Sequence, residues 1–207
     1  MNERWQPAQS RGLLLVPGEP APAQAWVRTG LVACQVVDRG RWTALVPVED
    51  RSRAQEPYDD AATVLVSRPL PRKLRPALGV LHVDHRAAVV VQPAGMRHQP
   101  RWLVWEPGAG HVRTPGLDLA TPDDLAETAG RPGAARDVAQ VVTDRSGDAV
   151  RLLTDLLTVL GLPGADLLGR HTGLRGQVVA PTAQAVERFD VRMAEIARHH
   201  RELEDNT

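Results

Sequence analysis

The placement of tryptophan constrains the architecture most strongly. Trp5, Trp26, Trp42, Trp102 and Trp105 all precede residue 106, among short Val- and Leu-rich runs separated by turn residues. The far end instead carries Val186, Phe189, Met193, Ile196, His200 and Leu203, spaced alternately by three and four. Short apolar runs bounded by Gly, Pro and Asp are the pattern of strands, whereas alternating threes and fours keep one stripe on the side of a helix. The expected fold is therefore α+β. An N-terminal antiparallel sheet or partial barrel of about seven strands is followed by a C-terminal helical region that ends in a long amphipathic helix.

The strand candidates can be placed individually. Residues 13–16 are stopped by Pro17-Gly18, and the Pro/Ala-rich segment 19–23 reads as a loop. A Val-rich stretch at 25–37 is broken near Thr29-Gly30, and Arg39-Gly40 turns the chain into a strand over 41–48. The polar segment 49–60 reads as a mobile loop, and 62–67 as another strand. Segments 78–84 and 87–92 pair across Asp84-His85-Arg86, and 101–106 is ended by Pro107-Gly108.

The pattern then changes. Thr121-Pro122-Asp123-Asp124 combines an N-cap residue, a proline at the first helical position and acids in the first turn. Further helices are expected over 134–142, 148–160 and 182–204; the second is broad in its apolar surface, with Val150, Leu153, Leu157 and Leu160 flanked by Leu152, Leu156 and Val159. Residues 1–115 thus form a β-rich region and 116–207 a helical one, packed on the sheet as one unit. Aromatics are only 3% of the chain, so the front half cannot build a generous core alone. The two regions carry charges of +5 (15 Lys and Arg against 10 Asp and Glu) and −5 (10 against 15), which favours their docking.

Composition narrows the function classes. Lys73 is the lone lysine beside 24 arginines, the bias of a GC-rich bacterial genome, so arginine by itself does not signal phosphate binding. The single cysteine, Cys34, excludes an intrachain disulfide and a cysteine-cluster metal site. It shares a Val-rich segment with Val32 and Val36 and reads as a buried, inert thiol. No apolar run approaches the roughly 20 residues that span a bilayer. The first residues lack the basic and apolar regions of a signal peptide, and a cytoplasmic location without membrane contact is expected.

Three clusters offer chemistry. His82, Asp84 and His85 have metal-ligating side chains close together, with His98 and His111 as partners by type. Arg68, Arg72, Lys73 and Arg75 make a basic loop that suits phosphate or nucleic acid, with Arg-Trp pairs at 4–5, 41–42 and 101–102 as stacking surfaces. A neutral chain nevertheless lacks the broad basic footprint of nucleic-acid binders. The terminal seam of Val186, Phe189, Met193, Ile196, His200 and Leu203 suits packing on its own body or on a partner. Asp59 and Asp60 beside Tyr58 form a small acidic pair in the polar loop. Nucleophile-elbow, zinc-protease and phosphate-loop motifs are missing.

The leading expectation is a non-catalytic protein that works through protein contacts or self-association, in regulation or assembly, with no cofactor. Two alternatives stand beside it. One is a metal-dependent hydrolase with a dispersed site around His82, Asp84 and His85, using a divalent metal. The other is nucleic-acid binding through the loop 68–75.

Overall fold

The computed structural model describes residues 10–95, 99–168 and 175–204, without the side chains of residues 200, 201, 203 and 204. Among them, eight strands form one sheet: β1 (Arg11–Pro17), β2 (Cys34–Arg39), β3 (Trp42–Pro47), β4 (Ala77–Val83), β5 (Arg86–Gln92), β6 (Arg101–Glu106), β7 (Gly110–Val112) and β8 (Gln177–Val179). Their order is β7-β6-β5-β4-β1-β3-β2-β8, and every neighbouring pair is antiparallel. The helices are α1 (Pro20–Arg28), α2 (Ala61–Ser67), α3 (Pro122–Thr128), α4 (Ala135–Thr143), α5 (Ala149–Val159) and α6 (Ala183–Glu204). The α+β expectation holds.

Both faces of the sheet are covered, and the period of two along each strand sorts the residues between them. Leu13, Leu15, Trp42, Ala44, Leu78, Val80, Val89, Leu103 and Trp105 point to one face, where α3, α4 and α5 pack with Leu125, Val138, Leu153 and Leu157. Leu14, Val16, Val36 and Leu45 point to the other, under α1 and α2 with Trp26, Val27 and Leu65. The breadth of apolar surface on α5 is explained by its depth: Leu152, Leu153, Leu156, Leu157 and Leu160 are buried. Val150 escapes to the surface, and Val159 is half-buried.

Three segments expected outside helices are wholly or partly helical: 62–67, 19–23 and the first residues of the strand candidate 25–37, of which 25–28 lie in α1. Segment 62–67 belongs to α2. Asp60 caps it by accepting a 2.7 Å bond from the Thr63 amide, and the helix turns Ala61 and Leu65 to one apolar cluster and Ala62 and Val66 to another. Burial on two sides erases the periodicity that would distinguish a short helix from a strand. Close approach is permitted by Gly79 on β4, where a Cβ would lie 2.8 Å from Val66 Cβ. Segment 19–23, expected as a loop, opens α1, with Pro20 at its first position and alanines behind it. The loop 49–60 is also more ordered than its polarity implies. The Ser52 amide bonds to the Asp59 carbonyl, Ser52 Oγ to the Tyr58 carbonyl, and Arg51 bridges to Asp60.

The signals with a local mechanism carry through. Thr121 and Asp124 form a reciprocal capping box at the start of α3. The β4–β5 hairpin closes through Asp84 and His85, with Asp84 at φ 55°. Strand β8 was not expected; it is a three-residue edge beside β2, close to the Gly-rich segment, whose residues 169–174 lie outside the described part.

Candidate functional site

The terminal helix α6 is tethered at its beginning and exposed at its end. The Thr182 amide donates to the Arg28 carbonyl at 2.9 Å, tying the start of α6 to the end of α1. Thr182 Oγ1 accepts from the Ala185 amide and caps the first turn. Ala185 is buried, and Val186, Phe189 and Met193 are half-buried. The Phe189 ring meets Tyr58, which the loop 49–60 presents to it.

Beyond Met193 the cover ends. Every side chain from Ala194 to His199 is exposed, and Ile196 is 43% accessible. At 1.5 Å per residue the 22-residue helix is about 33 Å long, and the exposed stretch 194–199 begins about midway along it. Val191 is 54% accessible and borders a cleft with Arg53, Pro181, Val186, Glu187 and Asp190. The seam is thus divided: Val186, Phe189 and Met193 serve the protein's own packing, and Ile196 faces solvent. The side chains of His200 and Leu203 lie outside the described residues.

The basic loop is also divided. Arg68 donates to the Trp26 carbonyl at 2.9 Å and to the carbonyl and hydroxyl of Thr29 at 3.0 and 2.9 Å, and its guanidinium lies 4.2 Å from the Trp26 ring centre. Burial pushes its pKa below the ordinary arginine value. Arg75 donates to the Leu70 carbonyl at 2.8 Å and to that of Gly95 at 3.4 Å. These two cations satisfy main-chain oxygens at the ends of helix and loop, whereas Arg72 and Lys73 are displayed to solvent. Of the Arg-Trp pairs, 4–5 lies outside the described residues, Trp42 is buried, and Trp102 is half-buried on the sheet.

His82 is half-buried on β4, while Asp84 and His85 form the exposed hairpin turn. Because β4 ends at Val83 and Asp84 adopts a left-handed conformation, His82 and Asp84 do not continue one strand face. Among the described residues no three His, Cys, Asp or Glu side chains converge on a point that would hold a metal ion. His98 lies outside them, and His111 sits at the β7 edge. Cys34 is buried, and desolvation pushes its thiol up to about 12. Asp60 caps α2, and Asp59 takes part in the loop's main-chain bonding.

The residue that composition and spacing missed is Tyr58. Its polar neighbours place it in a loop; that it covers the seam follows only from where the loop and α6 meet.

The fold and this surface define a single-sheet α+β protein, helix-covered on both faces, with a half-exposed terminal helix. Compared with protein-family models, curated proteins and solved structures, the chain matches none. Among the described residues no helix is long and apolar enough to cross a membrane.

Proposed function

We propose that this protein works through protein contacts, with α6 as its docking element and a role in regulation or assembly. The observation that carries this reading is the division of the seam. Its apolar repeat continues through Ile196 after the body has ceased to cover it. An isolated helix turn in water gains little from an apolar side chain held in solvent, because most helical stability in proteins comes from packing one face. A repeat that outlasts its own packing is economically explained by a second surface that covers it.

The test is photo-crosslinking from position 196 of the full chain in its host cells, with position 198 as control. Arg198 is exposed and lies on the opposite face of the helix from Ile196. A discrete adduct from position 196, with a second copy or one other protein, and none from position 198 is the expected result. Equal or absent crosslinking at the two positions overturns the reading. In the purified protein, Ile196→Asp should leave the melting temperature unchanged, because an exposed substitution costs within about 0.5 kcal/mol, and should abolish the adduct.

A further inference from the structure

The molecule carries a second surface with different chemistry, far along the sheet from α6. A cleft of about 350 Å3 opens where the β7 edge meets α3 and α4. Its floor is apolar: Leu103, Ala120 and Val142 are buried, and Ala139 and Pro122 form walls. Its polar rim is unequal in charge. Arg145 and His111 line it, and no acid is among its lining residues. Asp124 is paired with Arg101 and accepts from the Thr121 amide and hydroxyl at 2.8 Å. Asp144 accepts from the Ser146 amide and hydroxyl at 2.8 and 2.7 Å, and that bonding holds its pKa down. The two rim hydroxyls are also occupied, Thr121 within the capping box and Thr143 as donor to the Ala139 carbonyl.

Arg145 is held at this rim by its main chain. Its carbonyl accepts from the Gly108 amide at 3.0 Å, and the preceding Asp144 carbonyl accepts from the indole N–H of the fully buried Trp105 at 3.0 Å. Its side chain runs over Gly110, which has φ +81° and where a Cβ would stand 3.2 Å from Arg145 Cγ. Among the described residues no acid pairs with its guanidinium.

We propose that this cleft binds a small monoanion with an apolar body, a carboxylate of aliphatic or aromatic acid type. The anionic head meets the Arg145 guanidinium, whose fork accepts a carboxylate through two parallel hydrogen bonds. The His111 imidazole supplies a further polar contact at the rim. The tail lies on Leu103, Ala120 and Val142. The volume is at the small end of the roughly 300–1,000 Å3 range of ligand sites, and an apolar floor with few placed polar groups is their usual composition. This site is independent of the reading of α6.

Calorimetric titration of the full chain with octanoate and phenylacetate, beside octanol and octylamine, tests it. The carboxylates should bind, octanol more weakly and octylamine not at all. Arg145→Gln should weaken octanoate by about tenfold or more, the loss of a charged hydrogen-bonding partner, and leave octanol nearly unchanged. Arg136→Gln, at the start of α4 and off the cleft, should change nothing. Filling the cleft with Ala139→Phe should remove both ligands. Should that variant misfold, Thr143→Trp, at an exposed position on the rim, does the same without touching the core. No binding of octanoate at millimolar concentration, octanoate bound no tighter than octanol, or binding that survives Arg145→Gln or both blocking variants overturns the proposal.

Discussion

The Tyr58 ring stands edge-on to Phe189, with ring centres 5.5 Å apart and planes at 83°. This is the edge-to-face geometry in which the positive rim of one ring meets the negative face of the other. It joins the tied loop 49–60 to the terminal helix. A double-mutant cycle of Tyr58→Ala and Phe189→Ala, followed by urea unfolding, should give a coupling of about 0.5–1.5 kcal/mol. Strictly additive effects would mean that the rings merely sit near each other.

Arg68 is predicted to act in stability and not in phosphate recognition. It makes three hydrogen bonds across the end of α1 and lies over Trp26. Arg68→Ala should cost about 2–3 kcal/mol, at about 1 kcal/mol for each net bond. Arg68→Lys should recover little, since an ammonium cannot reproduce the planar fork. Arg72→Ala and Lys73→Ala should be silent in thermal unfolding. A silent Arg68→Ala would show that its bonds are replaced by water.

The contact of α2 with the sheet rests on one missing methyl group. Gly79→Ala should destabilise the protein by about 1–3 kcal/mol through overpacking against Val66. Combining it with Val66→Ala should restore little, because alanine keeps the Cβ that the added methyl group would meet at 2.8 Å. Unchanged denaturation midpoints for Gly79→Ala would mean that α2 shifts freely on β4.

Cys34 sets a pH dependence whose direction follows from burial. Its thiol has an ordinary value of 9.0 and is pushed to about 12 in the fold. The unfolded chain therefore releases the proton first, and the stability from the buried neutral thiol is complete below pH 9.0 and declines as the pH rises toward 12. Cys34→Ala should flatten that part of the stability curve. In the native protein at neutral pH, a thiol reagent should react only at the rate of unfolding, as mass spectrometry of the labelled protein would show. Rapid labelling of the folded protein would contradict the buried assignment.

The capping box at Thr121 and Asp124, the tight hairpin through Asp84 and His85, and the buried leucines of α5 were legible because each is a local rule acting over a few residues. Segment 62–67 was not, because α2 is wedged between two apolar clusters and its side chains carry no polar face to reveal a period. The seam on α6 was legible as a stripe, but its division was not. Val186, Phe189 and Met193 look like Ile196 in sequence, and they differ in being half-buried, Phe189 against Tyr58 of the loop 49–60.

The arginines make the same point. In sequence Arg68, Arg72, Arg75 and Arg145 are equivalent cations in an arginine-rich chain. The fold turns Arg68 and Arg75 onto carbonyl oxygens and leaves Arg145 at the rim of an apolar cleft without an acidic partner among the described residues. Sequence alone determined the α+β class, the strand pairs joined by tight turns and the capped helices, because those depend on periodicity and on backbone groups satisfied by near neighbours. Tertiary structure decided which apolar residues are spare and which charges are free, because burial and pairing depend on what elements distant in the chain bring to the same place.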